Sequence, residues 1–360
     1  MVRRRNAREG ESELFTALLM IFVADLLIFV HEIGHLLAAR TLGMPATSFS
    51  VGFGPALLKR TWRGTEYRLA LIPLGGYVRI EGMNGTDEDR IRWPNGFAFQ
   101  PLWKRLVVIG AGVTANALLA LVLYSAVSVA GKWSGPVDAR VVEVDETILP
   151  PTAGWTSIPP DRMIEQVDDR PVSDWSEMAL VLLGLEEGFH TLELDDGTGH
   201  RVWLPGSEAA KIQLLEALIP AVPEPVDHDF GEGVAAGGRE VSRTAKLIAE
   251  SGKLLATGSI GIRQLNGPIE LARVSERTLR MSLSQFLAFV AFLSLNLAIL
   301  NALPIPVLDG GHFALLLAEG VRGRPLPSSI RRYGTLAGTT VVVCFMTVAL
   351  LNDLLRLFGH

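Results

Sequence analysis

Four apolar runs, each close to the length of a bilayer crossing, limit what this chain can fold into. A helix needs about 20 apolar residues to span the hydrocarbon core. Leu14 to Val30 carries one charge, Asp25, and leads directly into "HEIGH". Leu106 to Ala130 carries none in 25 residues, and Leu283–Leu303 and Tyr333–Asn352 carry none either. "FALLLAEGV" (313–321) is too short to cross. The expected fold is therefore a multi-pass α-helical membrane protein with four transmembrane helices. The first run lacks a small-x-small cleavage pattern, and we read it as retained.

Two long polar stretches lie between the runs. Residues 43–105 contain "EYRLALIPLGGYVRIEG" (66–82), whose alternation predicts strands and a hairpin. The 150 or so residues between the second and third runs are the only ones able to form a soluble domain with its own core. There, 160–184 reads as strand, turn, strand and helix, and 190–204 as a hairpin around Asp196-Gly197. Residues 219–238 read as a Pro/Gly linker. With one cysteine, Cys344, no internal disulfide is possible. A net charge of −5 argues against nucleic-acid binding.

Orientation follows from the basic residues. The loop 40–105 carries ten Lys/Arg and 322–332 carries four, whereas 131–283 carries 14 basic against 25 acidic residues. This places both short loops in the cytoplasm and the large domain outside. The N-terminus is then outside as well, against the pull of Arg3, Arg4, Arg5 and Arg8.

The chemistry begins at His31-Glu32-x-x-His35. Residues four apart share a helix face, so both imidazoles can address one ion, and Glu32 can reach a water beside it. Ionisable groups in a span are costly and mark function. A catalytic Zn2+ needs a third protein ligand and an open position. Asp309 and Glu319, near the ends of the remaining runs, are the acidic candidates. Asp309 follows Pro304 and Pro306, which break the helix, and broken backbone at membrane depth requires a protein or wet lining. First and third runs point the same way, and both motifs end about 26 Å along them. His312 remains a rival ligand. Asp25, two turns before Glu32, either lines a cavity or is a hydrogen-bonded carboxyl.

Taken together, "HEIGH" in a first span, "SVGFGPALL", "GTEYRLALIPLGGYVRIEG" and "LSLNLAILNALPIPVLDGGH" resemble the site-2 protease family of intramembrane zinc metalloproteases. The likeness is greatest to its bacterial branch with an inserted PDZ domain. It covers the chain from Leu14 onward and is weakest in the middle. The resemblance implies His31, His35 and Asp309 as zinc ligands and Glu32 as catalytic base. It implies Asn296 and Asn301 as residues that hold substrate backbone, with helix–helix hydrogen bonding as their alternative. It assigns Gly75, Gly76 and Tyr77 to substrate presentation on a strand edge, with an ordinary turn as the alternative.

On this reading 1–42 is a tail and first span, 43–105 a cytoplasm-side β-rich loop, and 106–130 the second span. An extracytoplasmic, α+β PDZ-like domain occupies 135–205, diverged at "AGWTSIPPDRMIEQVDDRPV" and without a Gly-Leu-Gly-Phe-type loop. Residues 206–282 form a linker and a membrane-surface helix, 283–312 the third span with Leu-Asp-Gly, 313–332 a cytoplasmic loop, and 333–352 the fourth span. "AGVTAN" departs from the family's Ala-Gly-Pro-x-x-Asn at Val113 and keeps Asn116. The implied function is zinc-dependent cleavage of single-span membrane proteins, such as anti-sigma factors or signal-peptide remnants. It would take place in a bacterial cytoplasmic membrane, after a first cut by a site-1 protease. The partners are these substrates and the lipid bilayer, with no nucleic acid. The alternatives are an inactive scaffold working through the PDZ-like domain, and a zinc transporter.

Overall fold

The computed structural model describes residues 2–83, 87–131, 137–144, 153–160, 162–220, 226–258, 267–324 and 326–358. Four of its helices contain stretches long and apolar enough to cross a membrane: Phe15–Thr41, Leu102–Val129, Leu283–Ala302 and Arg332–Leu355. The chain divides into two compact units, Met1–Leu123 with Leu265–His360, and Tyr124–Gln264.

The first unit opens with α1 (Val2–Thr41), then β1 (Ala46–Trp62), β2 (Thr65–Ile80), the short α2 (Asp87–Arg92) and α3 (Leu102–Val129). Val23 and Leu27 of α1 pack on Val290 and Leu293 of a later helix. Ala39, Met44, Ile80, Val108 and Leu316 form a second cluster. The apolar residues thus face one another across helices rather than a single core.

The β region departs from a plain hairpin. Residues 48–51 pair with 66–69 on one side and with 76–79 on the other, while 56–62 pair with 65–70. Each long strand therefore bends on itself, β1 at Gly52 and Gly54, where φ is 83° and 88°. The result is four short antiparallel strands in the order 56–62, 65–70, 46–51, 76–80. The segment 66–82 consequently offers much less edge than its alternation suggests. Its first half lies inside the sheet, and only 76–80 lies at an edge.

The second unit, Tyr124–Gln264, is α+β. It contains β3 (Arg140–Val144), β4 (Arg162–Val167), β5 (Arg170–Pro171), α4 (Trp175–Gly184), β6 (Gly188–Leu194), β7 (Gly199–Leu204), α5 (Glu208–Ala217), β8 (Leu218–Pro220) and α6 (Phe230–Ala256). The strand order is β7-β6-β4-β3-β8, with β5 on β4. Trp155, Ile164, Met178, Leu182, Leu192, Leu204 and Leu214 build its core, which stands without a disulfide. Asp174 caps α4, accepting from the N–H groups of Ser176 and Glu177 at 2.9 and 3.0 Å, and pairs with Arg243 at 3.1 Å. The sheet continues past residue 205, since β8 pairs with β3.

The Pro/Gly linker expected at 219–238 is corrected in part. Residues 221–225 lie outside the described residues, as does Asp161, but from Phe230 the chain is helical. Asp229 caps α6 by accepting the Glu232 N–H at 2.8 Å. Gly233 and Gly237 are contact points rather than flexible joints: a Cβ at either would clash with Val129 or Ser125.

The first unit resumes with α7 (Pro268–Met281), α8 (Leu283–Ala302), α9 (Asp309–Arg322) and α10 (Ser328–Phe358). The N–H groups of Gly267 and Ile269 donate to the buried Asp353 of α10 at 3.0 and 2.8 Å. The break expected at Pro304 and Pro306, within the segment 283–312, is present. Helix α8 stops at Ala302, and Asp309 opens a separate helix that occupies half of the loop expected at 313–332. Pro304 and Pro306 account for the break, because neither can donate to a helical ladder.

Candidate metal centre

One turn separates His31 from His35 on α1, and both rings are buried, with 8% and 7% of their surface exposed. His35 Nδ1 lies 2.8 Å from the carbonyl oxygen of Val108 on α3. A carbonyl only accepts, so Nδ1 carries the proton and Nε2 presents a lone pair. That Nε2 lies 3.1 Å from His31 Nε2. Asp309 Oδ2 lies 3.0 Å from His31 Nε2 and 3.2 Å from His35 Nε2. Though buried, Asp309 Oδ2 has no hydrogen-bond donor. With both Nε2 atoms unprotonated, three electron-rich atoms converge on one point, an arrangement suited to a cation. Bonds of about 2.0–2.1 Å to a tetrahedral zinc put neighbouring ligand atoms about 3.3 Å apart, close to the observed spacing.

The other candidates fall away. His312 is exposed, and His31, His35 and Asp309 form the only metal-ligating cluster found among the described residues. Glu319 is buried elsewhere, paired with Arg105 at 3.4 Å and accepting the Leu326 N–H at 3.1 Å.

Helix α3 closes one side of the cluster. Val108, Gly112 and Asn116 are spaced by four, so they share one face. A Cβ at Gly112 would lie 2.7 Å from His31 Nε2 and nearer still to His35 Nε2. Asn116 is fully buried, its carbonyl accepting from Ser294 Oγ at 2.8 Å. Its side-chain nitrogen lies 3.5 Å from His31 Nδ1, and its Oδ1 has no partner. When His31 turns Nε2 to a cation, Nδ1 carries the proton and needs an acceptor. The two ends of an amide are assigned by fit, and the opposite assignment gives the orphaned Oδ1 that proton. Outer hydrogen bonds of this kind are worth about 10–100-fold in metal affinity. Asn116→Leu is therefore expected to weaken zinc binding by about that factor, and Asn116→Asp to keep most of it, as measured by chelator competition.

Glu32 faces the sheet. Its Oε2 accepts the Val78 N–H at 2.9 Å, so the edge strand 76–80 lies against the HExxH helix. Asp25 does the same one level along, accepting the Gly75 N–H at 3.2 Å, and so is a hydrogen-bonded carboxyl. Gly75 has φ 120°, and a Cβ there would sit 2.6 Å from the Phe53 ring. Glycine is required on both counts. Gly76 adjoins Glu32, with a Cβ position 3.7 Å from Glu32 Cγ. The Tyr77 ring stacks on Phe53, and its hydroxyl accepts from Arg68 at 3.4 Å. Asn296 and Asn301 lie half-buried on α8, and neither makes a hydrogen bond among the described residues.

Sequence reasoning proposed the three ligand atoms but not Gly112 or Val108, and it singled out Asn116 only as part of "AGVTAN". A small residue with an amide four positions on, inside an uncharged span, is the pattern that marks such a face.

Fold and site together define a class: a multi-pass membrane protein with a two-histidine, one-carboxylate cluster suited to a metal ion. The sequence profile of peptidase family M50 matches residues 17–345. A protein of Agrobacterium fabrum is 30% identical over 372 residues, covering 94% of this chain and 95% of its own length. Relatives from Mesorhizobium japonicum (31% identical, 93% and 97% covered) and Synechocystis (30%, 95% and 95%) match as fully. Each carries the name "putative zinc metalloprotease". The chain belongs to peptidase family M50, the site-2 protease family of zinc-dependent metalloproteases.

Proposed function

We propose that this chain is a zinc-dependent endopeptidase that cuts single-span membrane proteins within the bilayer. The observation that carries the reading is the cluster of three facing acceptor atoms, His31 Nε2, His35 Nε2 and Asp309 Oδ2. It is built from a membrane-length helix and a break between two helices.

His31, His35 and Asp309 hold the metal. Zinc held there would supply a Lewis acid for a peptide carbonyl and a water of pKa lowered towards about 7. Glu32 is placed to take a proton from the attacking water and to return it to the departing amide nitrogen. Asn301 and Asn296, whose amides make no hydrogen bond among the described residues, hold the substrate backbone. The strand Gly75, Gly76, Tyr77 lies beside Glu32 and positions an extended segment against it.

The second unit reads as a PDZ-like domain that limits access to substrates without bulky outer domains. Both edges of β3 are already paired, by β4 and β8, which argues against strand addition there. The surplus of basic residues in the short loops supports a bacterial cytoplasmic membrane, the metal centre near the cytoplasmic side and the PDZ-like unit outside. Prior ectodomain removal by a site-1 protease fits such a filter.

The test uses the purified full chain with a tagged single-span substrate lacking its outer domain. Cleavage is expected with zinc, and chelation should lower it to background, with recovery on adding zinc back. No cleavage by a protein holding one zinc per chain would overturn the reading in favour of a scaffold.

A further inference from the structure

The β1–β2 sheet lies lengthwise along α1. Near one end Gly75 bonds Asp25, and near the other Arg40 Nη2 donates to the Trp62 carbonyl at 3.3 Å and to Thr65 Oγ1 at 3.0 Å. Asp25 and Arg40 are about 22 Å apart at 1.5 Å per residue, and the strand 56–62 covers about 20 Å. The two lengths agree, so depth along the strand follows depth along the span.

Exposed side chains change character along that length. Leu57, Leu58, Leu69, Leu71 and Ile72 are exposed towards the Asp25 end. At the Arg40 end, where the span finishes, the turn brings Lys59, Arg60, Trp62 and Arg63 to the surface. Lys59, Arg60 and Arg63 make no ion pair among the described residues. Arg63 adopts φ 49° in a turn that asparagine or glycine would make without strain. Its guanidinium lies 4.8 Å from the centre of the Trp62 ring, and that of Arg40 lies 5.5 Å from it. Arg60, Trp62 and Tyr67 line an open concavity of about 440 Å³.

We propose that this turn binds the headgroup of an anionic phospholipid. Uncompensated cations supply charge complementarity to a phosphodiester, and a tryptophan at the end of a span suits the membrane interface. The adjoining exposed leucines are what acyl chains would cover, which favours a lipid over a soluble anion or an acidic protein segment. The occupied turn would hold the sheet, and with it the strand beside Glu32, at a fixed depth. The inference rests on the membrane fold and not on the peptidase reading.

The test titrates the full chain in detergent with short-chain phosphatidylglycerol, short-chain phosphatidylcholine or inorganic phosphate, counting bound molecules by native mass spectrometry. Lys59→Gln/Arg60→Gln/Arg63→Gln is compared with Arg322→Gln/Arg324→Gln/Arg332→Gln, which removes the same charge from exposed positions elsewhere. Unchanged circular dichroism and zinc content establish that each variant is folded. Wild type should retain phosphatidylglycerol in preference to phosphatidylcholine. The turn variant should lose one such site with affinity lower by on the order of 100-fold, about fivefold per cation, and the control variant should match wild type. Equal loss in both variants, no loss in the turn variant, or phosphate binding as tightly as the lipid would each overturn the proposal. So would slower cleavage of a span with an acidic flank while lipid binding stays unchanged, since the cations would then serve the substrate.

Discussion

Replacing Glu32 with glutamine is expected to lower peptide-bond hydrolysis by about 10²–10⁴-fold, the range for removing a positioned general base, with zinc content unchanged. Glutamine is the informative replacement because it separates the proposed proton transfer from the hydrogen bond that Glu32 makes. Its Oε2 accepts the Val78 N–H at 2.9 Å, which ties the edge strand to α1. A glutamine oxygen keeps that bond, so the strand stays in place, while the amide cannot take a proton from water. Alanine would remove both at once and blur the result. Turnover of a single-span substrate and metal content per chain are the two readouts. A variant that cleaves within about tenfold of wild type would remove Glu32 from the chemistry.

Gly112→Ala should abolish zinc binding. The added methyl would lie 2.7 Å from His31 Nε2 and closer to His35 Nε2. His35 cannot yield freely, because its Nδ1–H is held by the Val108 carbonyl at 2.8 Å. Metal ligands must be held within about 0.5 Å of their working positions, and relieving this contact moves the rings further than that. Zinc per chain is expected to fall at least tenfold and cleavage to fall with it. Gly110→Ala, on the same helix, is the control: its Cβ would meet nothing nearer than the Phe313 ring at 4.0 Å. Zinc content in Gly112→Ala equal to that of the control would show that the rings do not work in the arrangement described.

The site was legible in sequence as far as single residues carry their chemistry with them. His31, Glu32 and His35 declare themselves by spacing, and the prolines before Asp309 mark the broken helix that brings it in. What sequence could not supply depends on which helix packs against which. Val108 contributes only a carbonyl and Gly112 only the lack of a side chain, so neither has a chemical label. The spans were legible because a bilayer imposes length and polarity together. The β region was less so: a 17-residue strand that folds back at Gly52 and Gly54 has the same alternation as a straight one. Residues 230–238 misled for the opposite reason. Their glycines read as a linker, while Gly233 and Gly237 serve close packing inside a helix. Asp353, a lone acid at the end of the last apolar run, shows its purpose only once the N-terminus of α7 meets it.

The most direct test of the account is the position of the cut. A single-span substrate incubated with the full chain in proteoliposomes would be analysed by mass spectrometry of both fragments. The account predicts one principal scissile bond inside the apolar segment, several residues from its cytoplasmic end, at the depth His31 and Asp309 share. A cut confined to the polar flanks would contradict it and make the chain a peptidase that works beside the membrane rather than within it.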